Sequence, residues 1–196
     1  MIEKISNKLL NYLISSHKIK NDNEIIDYYR YGIEITISSI LNIVLIISIG
    51  VVTKNIMESL MFLLCFIPLR QVTGGYHAET YFKCNLLFVI VFCLLLVIYK
   101  MSVEILTNYA VIMMLIFSLT IFITECPIEN MNKPLNEEQK KINNKKAIIL
   151  GTLYGCIGVL SKVLSYDIGV IFLYTLVLIA ILVIAAMIKN RKGELK

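Results

Sequence analysis

Long charge-free apolar stretches recur along the chain and predict membrane-spanning helices. Three of them can cross a hydrocarbon core of ~30 Å at ~1.5 Å rise per residue, namely Ile35–Thr53, Ile105–Thr124 and Ile168–Ile188. Cys84–Tyr99 and Ala147–Ser161 are shorter, and lysines that snorkel to the interface extend them. The pattern predicts an all-α membrane protein with about six transmembrane helices.

The second apolar stretch, Ser59–Leu69, is the shortest of the six. Extending it back to Ile56 takes in Glu58, and Pro68 lies at its other end. A tilted or re-entrant helix is therefore an alternative to a full span, because irregular backbone at membrane depth is tolerated where protein buries it. We expect six spans, with five as the alternative.

Composition supports the same class. The 196 residues are 58% hydrophobic and 17% charged, whereas soluble domains are about 45–50% apolar and about 25% charged. This balance excludes a soluble globular enzyme and a disordered chain. The net charge of +5 is modest and forms no basic stripe with interleaved aromatics, so we expect no nucleic-acid partner. No linker divides the chain, which predicts one integral-membrane domain over residues 1–196.

The distribution of lysine and arginine predicts the orientation in the cell membrane. If alternate segments between the spans are cytoplasmic, 16 of the 19 basic residues lie inside. Cytoplasmic segments carry such an excess. Both termini and the loops 70–83 and 125–146 are therefore predicted to be cytoplasmic in a multi-pass protein.

The N-terminal arm, residues 1–30, has a different pattern. Ile2, Ile5, Leu9 and Tyr12 recur at helical spacing, with lysine and asparagine between them. This spacing indicates an amphipathic helix that lies in the membrane interface, with lipid as its partner.

Polar and reactive residues concentrate between the second and third spans. The stretch from Arg70 to Cys84 holds a glycine pair, Gly74 and Gly75, and one of only two histidines, His77. Polar groups near membrane depth are costly unless they are paired or functional. A glycine pair permits positive φ, so it is expected in a turn.

His77 and Cys84 are candidates for a base and a nucleophile. On one continuous helix they would lie ~10 Å apart along the axis, whereas a nucleophile and its base need contact at ~2.6–3.2 Å. The chain between them must therefore fold back if they act together. A cysteine at a helix N-terminus also gains from the positive end of the dipole, which stabilises its thiolate.

Other assignments for the thiols are less favoured. One histidine and one cysteine leave two positions of a zinc site unfilled, so we expect no metal. The remaining cysteines are expected to be structural: Cys65, Cys93, Cys126 and Cys156.

The polar motif reads Arg70-x-x-x-Gly74-Gly75-Tyr76-His77-Ala78, followed by Cys84. It resembles the accessory gene regulator protein B family, membrane-embedded cysteine endopeptidases of Gram-positive quorum sensing. The resemblance implies cleavage of a small pro-peptide on the cytoplasmic side. The upstream part is then held as an acyl-enzyme and closed into a thiolactone or lactone. It also implies a homodimer, and the reaction needs no cofactor.

In this interpretation, the chemistry of the motif residues and their closeness in the sequence suggest a role for each. Cys84 is the expected nucleophile, and His77 is the base that activates it and the acid that protonates the leaving amine. Gln71 is a candidate oxyanion donor and Glu79 a candidate to orient His77. Arg70 is expected either to bind a substrate carboxylate or to hold the loop by a charge-assisted hydrogen bond, and Gly74 and Gly75 are expected to shape the loop.

Two other functions fit a small membrane protein. A peptide exporter would carry ionisable residues inside several spans, and the long spans here are free of charge. A non-catalytic sensor or scaffold would tolerate the replacement of Cys84 by alanine.

Overall fold

A computed structural model describes residues 2–16, 23–74, 81–128 and 135–194. These residues form seven α-helices and one short 3-10 helix, Asp167–Val170. The helices are α1 Ile2–Ser15, α2 Asn23–Val52, α3 Ile56–Thr73, α4 Tyr81–Ser102, α5 Asn108–Glu125, α6 Glu137–Val163 and α7 Ile171–Glu194. The predicted all-α class is confirmed.

Six helices, α2 to α7, are long and apolar enough to cross a membrane, as the hydropathy pattern predicts. The second span is a helix of 18 residues from Ile56 to Thr73 and continues through Pro68. At ~1.5 Å per residue its length is close to the thickness of a hydrocarbon core. The structure therefore favours a full span here over a re-entrant segment.

Several helices extend beyond the apolar stretches that predict them. The clearest case is α6, which begins at Glu137, inside the segment predicted as the loop 125–146. Asn136 Oδ1 accepts from the Gln139 backbone N at 2.7 Å, and Gln139 Oε1 accepts from the Asn136 N at 3.2 Å. This capping box fixes where the helix starts, and the lysines that follow remain helical. Likewise α3 and α4 take up both ends of the predicted loop 70–83.

The chain divides into two compact units, residues 1–48 and 49–196. The first holds α1 and most of α2. Helix α1 has the predicted helical conformation, and its apolar residues Ile5, Leu9 and Tyr12 are exposed. Exposed apolar residues at this spacing are typical of a helix that lies in the membrane interface.

Helix α7 lies at the centre of the second unit and packs against α3, α4, α5 and α6. Its side chains Leu173, Leu176, Ile179 and Val183 are fully buried. Glycines on α6 bring this helix close to its neighbours. A Cβ at Gly151, Gly155 or Gly158 would press against Phe122 of α5, Leu115 of α5 or Leu173 of α7, respectively.

Aromatic rings join α4 to α3. Phe62 of α3 has its ring centroid 5.7 Å from that of Phe88 and 4.9 Å from that of Phe92 on α4. Phe66 lies 4.9 Å from Phe88. Centroid separations of 4.5–7 Å are those at which aromatic pairs attract. These ring contacts join the middle of α3 to the middle of α4.

The helix ends of the second unit gather into two polar groups. At one end, which we call the Asp167 end, Lys162 donates to Asp167 Oδ1 at 2.9 Å and to the Val103 carbonyl at 2.8 Å. The Tyr99 hydroxyl donates to the Asp167 carbonyl at 3.1 Å. The other end, where α3 and α5 finish and α4 and α6 begin, we call the Gly74 end.

This arrangement and the distribution of basic residues predict that the Gly74 end faces the cytoplasm. Single cysteines introduced at Glu138 or Lys192 should react with an impermeant maleimide only after the membrane is opened. Cysteines introduced at Lys54 or Glu104 should react in intact cells. The background carries alanine at the five native cysteines. Labelling of position 54 from the cytoplasmic side alone would contradict the six-span topology.

Candidate active site

Helix α3 ends in a turn that requires glycine. Gly74 has φ +67° and ψ −146°, and φ in this region is unfavourable for residues with a side chain. The Ile128 amide donates to the Thr73 carbonyl at 2.9 Å, and Gly74 pairs with Ile128 in an isolated parallel bridge. A Cβ on Gly74 would overlap the Ile128 carbonyl oxygen. The predicted turn at Gly74 is therefore present, and the segment after α5 closes over it.

Arg70 in the last turn of α3 bends back toward this turn. Its Nη1 donates to the Gly74 carbonyl, which also accepts from the Thr73 hydroxyl at 3.3 Å. The guanidinium group is partly buried and lies close enough to the Cys84 and Cys126 thiols to interact with both electrostatically. Of the two roles that the sequence leaves open for Arg70, the structure shows the contact that holds the turn.

Cys84 lies in the first turn of α4, where its side chain is partly exposed. Two positive influences act on this thiol: the nearby Arg70 guanidinium and the N-terminal end of the helix, whose free N–H groups favour an anion.

The other predicted site residues are described only in part. Gln71 follows Arg70 and is exposed on α3. Gly75, His77 and Glu79 lie outside the described residues, so the pairing of His77 with Cys84 stays a prediction. Among the residues that the structure describes, no group of three His, Cys, Asp or Glu side chains could hold a metal ion.

Cys126 is a neighbour of the site that the sequence does not reveal. It follows α5 directly and is buried. Asn144 of α6 holds this residue in place, because its Nδ2 donates to the Cys126 carbonyl at 2.7 Å and to the Phe122 carbonyl at 3.0 Å. Burial raises the pKa of the Cys126 thiol to about 12; Glu125 adds to the rise and Arg70 opposes it. The thiol is therefore protonated at neutral pH.

Its sequence position explains why Cys126 escapes a motif search. It lies far from Arg70 along the chain and follows no recognisable spacing. The one signal is topological: the predicted orientation puts the ends of α3 and α5 on the same side of the membrane.

Comparison with known proteins shows the family of this chain. The family model described as "AgrB: Accessory gene regulator B" matches residues 6–188. The chain belongs to the accessory gene regulator B family. A protein of Clostridium perfringens (strain SM101 / Type A), provisionally named AgrB-like, is 31% identical over 175 residues, which are 86% of this chain and 81% of the relative.

Relatives from a second genus are less similar. A Listeria monocytogenes serotype 4a (strain HCC23) protein with the same provisional name is 27% identical over 150 residues, covering 76% of this chain and 72% of the relative. No solved structure matches the chain. Family membership and six apolar helices identify a multi-pass membrane protein of the accessory gene regulator quorum-sensing system.

The turn at Gly74 generates a stability prediction. Gly74→Ala should lower the free energy of unfolding by about 2 to 5 kcal/mol, because positive φ costs about 1–2 kcal/mol and overpacking about 1–3 kcal/mol. Thermal unfolding in detergent micelles measures the loss. Gly32→Ala on α2 is the matched control, since a Cβ there meets nothing within 4 Å. An unchanged midpoint for Gly74→Ala would contradict the close approach of Ile128.

The raised pKa of Cys126 generates a reactivity prediction. Iodoacetamide should alkylate this thiol slowly at neutral pH, and the rate should rise about tenfold per pH unit from about pH 7 to 9, because the thiolate is the reactive form. Peptide mapping by mass spectrometry gives the rate at each cysteine, with Cys84→Ser as the control for cross-reaction. If the rate at Cys126 levels off within this range, the pKa of this thiol is not raised, and the prediction is wrong.

Proposed function

We propose that this protein is a cysteine endopeptidase that removes the C-terminal tail of a quorum-sensing pro-peptide and closes the remainder into a thiolactone or lactone. The family supports the substrate class, because its members act in the accessory gene regulator system. The observation that carries the proposal is the environment of Cys84. This thiol is partly exposed, at a helix N-terminus and beside Arg70, whereas the neighbouring Cys126 is buried and protonated.

The proposed reaction begins with transfer of the Cys84 proton to His77. The Cys84 thiolate attacks the scissile carbonyl and forms a tetrahedral oxyanion, for which Gln71 is the proposed donor. Collapse of this intermediate breaks the peptide bond. The leaving amine takes its proton from His77, which Glu79 is proposed to orient. The upstream peptide remains on Cys84 as a thioester.

The second half of the proposed reaction closes the ring. A thiol or hydroxyl within the bound peptide attacks the thioester, gives its proton to His77 and displaces Cys84 as the leaving thiolate. Attack by a thiol exchanges one thioester for another and so avoids the loss that hydrolysis would bring. Bulk water competes for the acyl group, so the site must hold the internal nucleophile close and exclude water. The position of Cys84 at the start of a membrane helix favours that exclusion.

Arg70 has two functions in this proposal. Its hydrogen bond to the Gly74 carbonyl holds the turn that leads from α3 toward His77. Its charge also favours the Cys84 thiolate, because opposite charges attract more strongly where water is partly excluded. Lysine would supply a charge without the planar donor geometry of arginine.

The distribution of charge weighs against a peptide exporter. Such a protein needs ionisable groups along a path through the membrane. In the described residues the Glu58–Lys100 pair, at 3.6 Å, and the Lys162–Asp167 pair, at 2.9 Å, lie at helix ends. We further propose that the protein resides in the cell membrane with both termini and the Gly74 end in the cytoplasm, and that it acts as a homodimer.

Purified protein in lipid vesicles, mixed with a short pro-peptide that carries a central cysteine and an acidic C-terminal tail, tests the assignment. Cys84→Ala and His77→Ala should each abolish release of the tail, because each removes a group required for acylation. Four matched thiol variants should retain substantial activity: Cys65→Ala, Cys93→Ala, Cys126→Ala and Cys156→Ala. Release of the tail by Cys84→Ala would exclude Cys84 as the nucleophile.

A substrate that lacks the ring-forming cysteine extends the same experiment. With this residue changed to alanine, the thioester on Cys84 should accumulate and be released by hydroxylamine. Mass spectrometry locates the adduct. Rapid hydrolysis to a linear acid without an adduct would leave an ordinary cysteine protease.

A further inference from the structure

Pro68 leaves one carbonyl of α3 without its helical partner. In an α-helix the N–H of residue 68 would donate to the carbonyl of Leu64, four residues earlier, but proline has no N–H. The Tyr154 hydroxyl of α6 donates to that carbonyl at 2.9 Å. A tyrosine from a neighbouring helix therefore replaces the missing backbone donor.

The hydroxyl group is held firmly in that position. Tyr154 is 8% exposed, and its ring stacks on Phe172 of α7 with centroids 5.4 Å apart and planes 21° from parallel. A carbonyl without a donor in apolar surroundings costs several kcal/mol by transfer scales. Other helices and lipid surround α3 here, so water is scarce. Among the described residues, the Tyr154 hydroxyl donates the hydrogen bond that the Leu64 carbonyl requires.

The position of this contact connects it with the candidate site. Beyond Pro68, α3 continues for one further turn and a half, which contains Arg70 and ends at Thr73. This segment carries the Arg70 guanidinium, which interacts electrostatically with Cys84, and the Thr73 carbonyl that binds the Ile128 amide. A proline allows a helix to bend, and the donor that binds the freed carbonyl determines which arrangement is stable.

We propose that Tyr154 is a positioning residue for the active site: its hydrogen bond to the Leu64 carbonyl fixes the Pro68 segment of α3 and thereby holds Arg70 within electrostatic range of Cys84. The inference rests on the proposed function for its effect on catalysis, and its structural part is independent of it. Tyr154 itself contacts no reacting atom. A misplacement of catalytic groups by ~1 Å can lower a rate by about 10²-fold.

Tyr154→Phe removes the hydroxyl and keeps the ring that stacks on Phe172. Pro-peptide cleavage in vesicles should then show a kcat reduced at least about tenfold, with KM within about twofold of wild type, because binding surfaces are retained and alignment is lost. Tyr99→Phe is the matched control. Tyr99 is also buried and also donates to a carbonyl on another segment, at 3.1 Å, but at the Asp167 end, so its kcat should stay within about twofold of wild type.

A double-mutant cycle with Pro68→Ala separates positioning from general stability. Pro68→Ala restores a backbone N–H that can bind the Leu64 carbonyl, so the tyrosine hydroxyl is no longer required. In that background Tyr154→Phe should change kcat by less than about twofold. If Tyr154→Phe alone lowers the yield of folded protein, recovery of yield and rate in the double variant supports the proposal. A tenfold deficit that persists in the Pro68→Ala background overturns it.

Hydrogen–deuterium exchange supplies a measurement that does not depend on catalysis. In Tyr154→Phe the amide of Ile128, which binds the Thr73 carbonyl, should exchange at least about fivefold faster, and in the double variant it should return to the wild-type rate. Equal exchange in Tyr154→Phe and wild type would overturn the proposal. If the wild-type protein cleaves no pro-peptide, the proposed function fails, and the exchange rates alone decide the role of Tyr154.

Discussion

Backbone carbonyls that lose their helical partners near the Gly74 end have to be satisfied where water is scarce. Four carbonyls accept from groups in other parts of the chain: the Leu64 carbonyl from Tyr154, the Thr73 carbonyl from the Ile128 amide, and the Phe122 and Cys126 carbonyls from Asn144. Unsatisfied backbone groups at membrane depth are expensive. The donors are therefore fixed in place, and with them the ends of α3, α5 and α6.

The candidate site is a consequence of these contacts. Once the end of α3 and the segment after α5 are tied together, the Arg70 guanidinium lies close to two thiols that differ in their surroundings. Burial keeps Cys126 protonated, whereas Cys84 is partly exposed at a helix start. The same cation thus has one buried neighbour and one that is partly exposed. Solvent access and the helix dipole distinguish them.

The two ends of the second unit differ in their polar chemistry. At the Asp167 end, charged side chains neutralise one another: Lys162 with Asp167 and Lys100 with Glu58. At the Gly74 end, the Arg70 guanidinium donates to the Gly74 carbonyl and interacts electrostatically with the Cys84 and Cys126 thiols.

Several features of this protein follow from the sequence by itself. Hydropathy determines the six spans and the all-α class, because a bilayer of fixed thickness demands apolar helices of a given length. The glycine pair predicts the turn at Gly74. The polar residues between the second and third spans, which include Arg70, His77 and Cys84, predict where the site lies. The sequence predicts helix ends less well. Hydropathy places the start of this span at Ala147, after the run of lysines, whereas the Asn136 cap starts α6 at Glu137.

Tertiary structure alone decided the contacts between distant segments. The sequence does not indicate that Cys126 approaches Arg70. Nor does it indicate the hydrogen bond from Tyr154 to the Leu64 carbonyl, which joins residues 90 positions apart. The reason is physical. Periodicity and hydropathy describe how each segment meets its solvent, but they do not specify how helices rotate and slide against one another. Those rotations depend on particular side chains, such as the α6 glycines and the phenylalanines of α3 and α4, and they determine which donor reaches which carbonyl.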